Sequence, residues 1–297
     1  MKVIILGVGT VTKRIINQIL KYKDIDIIGA IPDRSAKLNI SDEYTRFLEG
    51  KKIKICDFND ASLPEADIVF TATYPKLLPA ELVDKYRIIN LHAGILPKYR
   101  GFCSNVWAII NGEPEVGFTI HRMDRNMDNG DIYHVEHIPI SKEQTYSDVY
   151  EELTNKIVEK TPEVLRGICS GDLRAIKQEG KRVYCSKITP ELGMLSDFNQ
   201  NTDYICNLFR AMAEPHGTGV YFMHNGVRYD VGKVESGVKY DIDDYCCLPG
   251  KVVNIEEDSE SNVRLFIKSK DNVVVLSRIS ENGKLLHKSP FGVGHVL

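Results

Sequence analysis

Three polar residues of this chain have side chains suited to proton transfer and to stabilising negative charge. Asn90 and His92 lie two positions apart in residues 90–101 (NLHAGILPKYRG), so on an extended chain their side chains share a face. Asp128 belongs to an Asp-Asn-Gly sequence that is typical of a turn. If the tertiary structure brings Asp128 against His92, the carboxylate orients the imidazole and favours its protonated form. Together Asn90 and His92 offer an amide donor and an imidazole on one face.

A glycine-containing turn at residues 7–12 (GVGTVT) is the second candidate for ligand binding. A GxGxxG turn lets the backbone approach a pyrophosphate at the start of a helix. Thr12 occupies the third glycine position, and no clear acidic residue ends the second predicted strand, where a ribose would be held. We therefore interpret the segment as a tight strand-to-helix turn rather than an NAD site. The turn could still contact a ligand at the edge of the sheet.

Residue types that bind metal ions are present but not in a metal-binding pattern. His134 and His137 are three positions apart on a predicted strand, so their side chains face opposite sides. Neither cysteines nor a cluster of acidic residues complete a ligand set around them. The seven cysteines include no CxxC pair, which predicts free thiols in a reducing cytosol. The sequence therefore predicts no metal site and a cytoplasmic location.

The elements that must position the polar residues are read from the apolar periodicity. Short apolar runs at residues 2–8, 25–31, 52–56, 66–73 and 87–91 alternate with helical segments, which predicts a Rossmann-like, doubly wound parallel sheet. Residues 116–123 and 131–140 predict two further strands arranged as a hairpin, and residues 145–169 predict a long helix. His92 follows the fifth strand directly. Ligands of parallel sheets bind outside the carboxyl ends of the strands.

The character of the chain changes after Gly171. A loop-rich stretch at residues 180–198 precedes a short predicted helix at residues 203–212. Short strands separated by Asn-Gly, Ser-Gly and Pro-Gly turn signals follow, which predicts a small β-rich domain resembling an OB barrel. We therefore expect a catalytic domain at residues 1–200 and a carboxyl-terminal β domain at residues 201–297.

The bulk composition excludes several classes of protein. Of the 297 residues 43% are hydrophobic and 27% are charged, which is ordinary for a globular protein. The net charge of -3 argues against a general nucleic-acid-binding protein, which is usually basic. None of the apolar runs approaches the ~18 residues of a membrane span. The sequence therefore predicts a protein without a membrane segment.

The motifs taken together resemble those of the folate-dependent formyltransferase family. That family's pattern is approximately N-x-H-x-S-L-L-P-x-Y-R-G, then G-V-T-x-H-x-M, then D-x-G-x-I. Here it corresponds to NLHAGILPKYRG at residues 90–101 and GFTIHRMDRNMDNGDI at residues 117–132. Gly94 and Ile95 stand where the family has serine and leucine. The resemblance implies the formyltransferase fold and catalytic roles for Asn90, His92 and Asp128.

The resemblance extends to the predicted binding segments. Residues 74–79 (YPKLLP) are similar to the segment whose backbone edge holds a pterin ring, and residues 208–217 and 248–252 are similar to the family's carboxyl-terminal domain. The implied co-substrate is N10-formyltetrahydrofolate. The residues implied to contact this donor are Tyr74, Lys76, Leu78, Met127 and Asp128.

The resemblance also implies the chemistry. An amine attacks the formyl carbon, and His92 in its protonated form and Asn90 donate hydrogen bonds to the resulting oxyanion. Asp128 orients His92. The proton that leaves the amine could be relayed by His92, by Asp128 or by a bound water, and the sequence leaves these three open.

Three classes of acceptor amine use a site of this kind. The small purine-pathway enzyme ends soon after the catalytic aspartate, so the length of this chain excludes it. Methionyl-tRNA formyltransferase has the same two-domain layout. However, it carries a Gly/Arg/Lys-rich loop after the second strand, where this chain has only PDRSAKLN. Residues 239–297 contain eight Lys or Arg and nine Asp or Glu, a balance of 8 - 9 = -1, which does not favour gripping tRNA.

Enzymes that formylate an amino sugar linked to a nucleotide diphosphate, for surface-glycan biosynthesis, form the third class and the favoured one. Lys98 or Arg100 could pair with the diphosphate or remain a solvated loop charge. The resemblance further implies a homodimer. A catalytically inert folate-binding or nucleotide-sugar-binding protein and a dehydrogenase remain alternatives from other classes. The residues expected to bind the nucleotide sugar are Gly9, Thr10, Lys98, Tyr99, Arg100 and Gly101.

Overall fold

The computed structural model describes residues 1–33, 38–57, 63–74, 77–237 and 247–297. The chain divides into two compact units. The first comprises residues 1–105, 116–138 and 151–186, and the second comprises residues 106–115, 139–150 and 187–297. The boundary at residue 200 that we expect from the sequence stays a prediction.

The first unit is built on a six-stranded sheet. Its strands in chain order are β1 (Lys2–Gly7), β2 (Asp26–Pro32), β3 (Ile68–Ala72), β4 (Ile88–His92), β6 (Glu115–Arg122) and β7 (Ile132–Pro139). The strand order across the sheet is β2-β1-β3-β4-β6-β7. Two short strands, β5 (Tyr99–Gly101) and β8 (Val183–Cys185), pair in parallel outside this sheet, in segments predicted as loops.

The predicted α/β fold class is confirmed, with a sheet that is mixed rather than wholly parallel. β1 pairs in parallel with β2 and with β3, and β3 pairs in parallel with β4. β6 then joins β4 in antiparallel orientation. The two strands predicted as a hairpin are neighbours at this edge, where the Arg122 amide donates to the Asp131 carbonyl at 2.8 Å.

The strand predicted at residues 52–56 does not form. This segment makes a single parallel bridge, between Ala30 and Ile55. Its start is occupied by the turn that ends the preceding helix, where Lys52 has a φ of 57°. Too few extended residues then remain for a continuous ladder.

The apolar runs form the core of the sheet because parallel strands are covered on both faces. Val3, Ile4, Ile5 and Leu6 of β1 are each fully buried. The helices are α1 (Gly9–Ile19), α2 (Leu38–Gly50), α3 (Ala80–Lys85), α4 (Ser104–Ile110) and α5 (Tyr146–Ser170).

The second unit contains an antiparallel sheet, which confirms the predicted β-rich domain. The strands in order across the sheet are β11 (Val252–Glu257), β12 (Val263–Lys268), β13 (Val273–Glu281), β10 (Val227–Ser236) and β9 (Val220–His224), and β14 (Lys284–Leu285) pairs with β13. Phe266, Val273 and Val275 form part of its buried core. Within the described residues, no helix is both long and apolar enough to cross a membrane. The helix α6 (Thr202–Met212) precedes these strands in the chain.

Candidate active site

The carboxyl end of β4 brings together polar side chains from three strands and one turn. Asn90 lies opposite Thr71 of β3 and opposite His121 of β6 in the strand registers. His92 ends β4 and is 6% exposed. Asp128 reaches the same place from the turn between β6 and β7. The three residues predicted from sequence as catalytic are therefore neighbours, and their catalytic roles remain to be tested.

The amide of Asn90 is oriented by its neighbours. Thr71 donates its hydroxyl hydrogen to Asn90 Oδ1. Asn90 Nδ2 consequently faces His121 Nε2 at 3.0 Å and Asp128 Oδ1 at 3.5 Å. His121 Nδ1 lies 2.8 Å from the Arg122 carbonyl oxygen, which can only accept, so this nitrogen carries a proton. With Nδ1 protonated, Nε2 of His121 can accept from Asn90, and the Asn90 amide presents its donor side to the site.

Both ring nitrogens of His92 have partners within the protein. Nε2 lies 2.6 Å from the Tyr99 carbonyl oxygen and therefore donates to it. Nδ1 lies 3.4 Å from Asp128 Oδ2. Burial lowers the pKa of His92, while Asp128 and the Tyr99 carbonyl raise it without outweighing burial. Asp128 therefore favours the charged form of His92, as expected from the sequence, but burial disfavours that form more strongly, so the pKa lies below its ordinary value. In the neutral ring with Nε2 protonated, Nδ1 is the nitrogen that can accept a proton.

Asp128 is held as a carboxylate in an unusual backbone conformation. Its φ is 48°, in the left-handed region that few non-glycine residues adopt. The Gly101 amide donates to Asp128 Oδ2 at 2.8 Å. Burial acts to raise the pKa of Asp128, but His121, His92 and the Gly101 amide together bring it below its ordinary value. Asp128 is therefore ionised at neutral pH and stabilises His92 once the imidazole gains a proton.

Gly94 lies directly against the imidazole. A Cβ at this position would be 2.6 Å from His92 Nε2 and 2.6 Å from Ser104 Cβ. The serine that the resembled family has here would require the imidazole or Ser104 to shift. Glycine at position 94 therefore leaves the space that the imidazole of His92 occupies in this chain.

The residues predicted to bind the acceptor lie in different environments. The Tyr99 carbonyl and Gly101 amide contact His92 and Asp128. Lys98 is exposed, with Nζ 5.5 Å from the centre of the Tyr99 ring. Arg100 is fully buried, and its guanidinium donates to side chains inside the unit. The sequence left open that Arg100 is a solvated charge on a loop. This interpretation is wrong, because the Arg100 side chain has no contact with solvent.

The glycine turn after β1 closes on itself. Thr12 Oγ1 lies 2.9 Å from the Val8 carbonyl and 3.1 Å from the Ala72 carbonyl, which ties the turn to β3. Gly9 begins α1 with a φ of 84°, and Thr10 is exposed. The segment is therefore a strand-to-helix turn, as interpreted from the sequence, and a contact of Gly9 or Thr10 with an acceptor stays a prediction.

The residues predicted to bind the formyl donor are partly described. Tyr74 and Leu78 are partly buried and pack against the core around β1 and β3. Burial and two nearby aspartates raise the pKa of Tyr74. Met127 precedes Asp128 in the turn and is partly buried, whereas Lys76 lies outside the described residues. A cavity of about 540 Å³ borders this turn and is lined by Val83, Asp84, Gly130, Asp131 and residues 122–126.

Two residues of the site were not predicted from the sequence. His121 lies within the GFTIHRM string, so the family pattern carried a signal for it. Gln178, which hydrogen-bonds to the turn bearing Asp128, is 50 positions away and has no motif around it. Across the described part of the chain, no group of three or more His, Cys, Asp or Glu side chains is arranged to hold a metal ion.

Comparison with known proteins identifies the family. The protein-family model for formyl transferase matches residues 59–165. The family model for the formyl transferase C-terminal domain matches residues 187–293. Methionyl-tRNA formyltransferase of Caldanaerobacter subterraneus is 30% identical over 220 residues, which are 73% of this chain and 67% of that protein. The Kosmotoga olearia protein of the same name is 32% identical over 227 residues, which are 73% of this chain and 68% of that protein.

Solved structures resemble this chain over almost its full length. WlaRD, a sugar 3N-formyltransferase studied with dTDP and 5-N-formyl-THF, has a TM-score of 0.71 at 20% identity and covers 96% of this chain and 99% of its own. The Helicobacter canadensis N-formyltransferase, in complex with folinic acid and dTDP-3-aminofucose, has a TM-score of 0.70 at 19% identity. The match covers 94% of this chain and 100% of that structure's chain. The chain belongs to the formyltransferase family and is an enzyme that transfers a formyl group, as the catalytic motif predicted.

Proposed function

We propose that this enzyme transfers the formyl group of N10-formyltetrahydrofolate to the amine of an amino-deoxy sugar linked to a nucleotide diphosphate. The observation that carries formyl transfer is the meeting of the Asn90 amide, His92 and Asp128 at the end of β4. The choice of acceptor is supported by full-length similarity to two enzymes whose structures were determined with a folate and with dTDP or a dTDP-amino sugar.

The arrangement of donors and acceptors suits acyl transfer to an amine. The amine nitrogen bonds to the formyl carbon, and the formyl oxygen becomes an oxyanion. Asn90 Nδ2 is oriented to donate to such an oxygen, and losing one donor of this kind costs roughly 10²–10³-fold in rate. His92 Nδ1 takes the proton that leaves the amine, and Asp128 stabilises the resulting cation at 3.4 Å. The proton then reaches the folate nitrogen as the bond between that nitrogen and the formyl carbon breaks.

We assign the formyl donor to the side of the site formed by Tyr74, Leu78, Met127 and Asp128. The neighbouring cavity of about 540 Å³ is lined by charged and amide side chains that suit the donors and acceptors of a pterin ring. Lys76 completes the predicted set from outside the described residues.

We assign the acceptor to the opposite side of His92, with Gly9 and Thr10 at its far edge. Lys98 is exposed and suits a phosphate, whereas Arg100 is buried. Residues 173–186, which pair with β5 through β8, contain four basic residues and one acidic residue, and all four basic side chains are exposed. A basic edge beside the catalytic groups suits an acceptor that carries phosphate.

Methionyl-tRNA is the second candidate acceptor. It is favoured by the identity of 30–32% to proteins named methionyl-tRNA formyltransferase, and a basic edge also suits RNA. The balance of charges in residues 239–297 argues the other way.

The test is a formyl-transfer assay with N10-formyltetrahydrofolate and a panel of UDP-, dTDP- and GDP-linked 3-amino and 4-amino sugars, with methionyl-tRNA in parallel. Turnover of one sugar that is lost in His92→Ala supports the proposal. Turnover of methionyl-tRNA alone would replace the acceptor and keep the chemistry. Binding of folate and nucleotide sugar without any turnover would favour an inert binding protein.

A further inference from the structure

We infer that Gln178 is a positioning residue for the reaction, which fixes the turn bearing Asp128, and that Arg100 serves the same end by fixing the Gln178 amide. This inference rests on the proposed catalytic role of Asp128. Both side chains are polar and buried. The sequence predicted that Arg100 contacts a diphosphate, and no sequence motif marks Gln178.

The side-chain amide of Gln178 holds two backbone carbonyls of the turn at once. Gln178 Nε2 donates to the Asp128 carbonyl at 2.9 Å and to the Gly130 carbonyl at 2.7 Å. Gln178 is 9% exposed, so water competes little for these bonds. The two carbonyls flank Asn129, and the amide therefore bridges the turn immediately behind the catalytic carboxylate.

Arg100 determines which way the Gln178 amide points. Arg100 Nη2 lies 2.6 Å from Gln178 Oε1, and a guanidinium can only donate. The oxygen must therefore face Arg100, which leaves the NH₂ group facing the two carbonyls. Arg100 Nη1 also donates to Asn129 Oδ1 at 2.9 Å, so the guanidinium holds the middle of the same turn.

The turn needs such support because of its backbone conformation. Asp128 has a φ of 48°, and left-handed non-glycine residues persist only where their surroundings over-determine them. Asp128 Oδ2 must remain within 3.4 Å of His92 Nδ1 and within 2.8 Å of the Gly101 amide. A relaxation of the turn would move the carboxylate away from both.

The segment that carries Gln178 is itself tied to the site on both sides. Before Gln178, the Ile176 and Ile132 backbones exchange two hydrogen bonds of 2.8 Å each. After it, Tyr184 of β8 pairs with Arg100 of β5. Loss of the Gln178 side chain alone therefore leaves the segment anchored, which makes the side chain testable by substitution.

The experiment measures formyl transfer by Gln178→Leu and Gln178→Glu in the full chain, alone and combined with Asp128→Asn. Leucine removes both donors, and glutamate keeps an acceptor for Arg100 but presents oxygen to the two carbonyls. We expect each variant to lower kcat by about 10- to 100-fold with KM nearly unchanged, because a displacement of the order of an ångström has that effect. Gln18→Leu is the matched control and keeps the wild-type kcat, because Gln18 lies on α1 away from the site and its side-chain oxygen accepts from Lys21 at the surface.

The combined variants separate positioning from general destabilisation. If Gln178 acts through Asp128, its substitution changes kcat less than about 2-fold once Asp128→Asn is present, since coupled residues are not additive. A full loss in both backgrounds, or a kcat for Gln178→Leu equal to that of Gln18→Leu, would overturn the inference. Should Gln178→Leu fail to fold, Gln178→Glu carries the same expectation. Full activity of Asp128→Asn alone would refute the proposed catalytic role of Asp128, and the inference about Gln178 with it. That single variant therefore separates failure of the proposed function from failure of the inference.

Discussion

The ends of β1 and β4 offer a direct comparison, because both are carboxyl ends of parallel strands in one sheet and both were candidates for binding a ligand. After β1, the Thr12 hydroxyl lies beside two backbone carbonyls, so the polar groups of the turn satisfy one another. After β4, the Asn90 amide and His92 Nδ1 face a carboxylate that comes from a distant turn. A glycine pattern therefore indicates a tight turn, whereas polar groups that converge from separate elements indicate a site for chemistry.

The largest effect expected from this comparison is on the rate. Asn90→Ala removes the oriented amide donor, and we expect kcat to fall roughly 10²–10³-fold, as for other lost oxyanion donors. The measurement is steady-state formyl transfer. Thr12→Val at the end of β1 is the paired variant and should leave kcat unchanged. Equal losses in the two variants would contradict the division of roles between the strand ends.

A second effect concerns the packing around His92. Gly94→Ala places a methyl group 2.6 Å from Nε2 where the imidazole now bonds to Tyr99. The imidazole must then shift, and we expect kcat to fall by about 10- to 100-fold. Gly50→Ala is the matched control, because a Cβ there meets nothing within 4 Å. An unchanged kcat in Gly94→Ala would mean that the position of His92 tolerates this shift.

The third effect is on stability. Thr12→Val should lower the stability of the fold, whereas Asn90→Ala should lower the reaction rate. The Thr12 hydroxyl is fully buried and its loss leaves the Ala72 carbonyl without that partner. We expect a loss of about 1 kcal/mol in the free energy of unfolding, measured by urea denaturation. A loss of activity without a loss of stability would indicate that this turn contacts a substrate.

The smallest effect is a change in the protonation of His92. Burial holds the pKa of His92 below 6.5, Asp128 raises it, and His121 and Arg100 lower it. A neutral Nδ1 is present above the depressed pKa and is lost as pH falls through it, so kcat/KM should fall on the acid side. Asp128→Asn removes the raising influence, and the His92 pKa should decrease further in an NMR titration. A His92 pKa above 6.5 in the wild type would contradict this account.

Much of the candidate site follows from local features of the chain. Strand β4 was predicted from its apolar run, and the two-residue spacing of Asn90 and His92 predicted a shared direction. Asp128 was predicted by its motif, and the family by both halves of the pattern. His121 was missed as a functional residue although it lay in that pattern, because only its register opposite Asn90 shows that the two side chains meet.

The amino-acid sequence by itself determined the class of fold, the family and the three polar residues, because strand periodicity, turn chemistry and motif spacing are local properties. The tertiary structure alone decided that burial lowers the pKa of His92, that Arg100 is an internal donor and that Gln178 holds the turn of Asp128. Each of these depends on burial or on partners up to 84 positions away in the chain. Desolvation and hydrogen bonding act through space, so no local pattern in the chain records them.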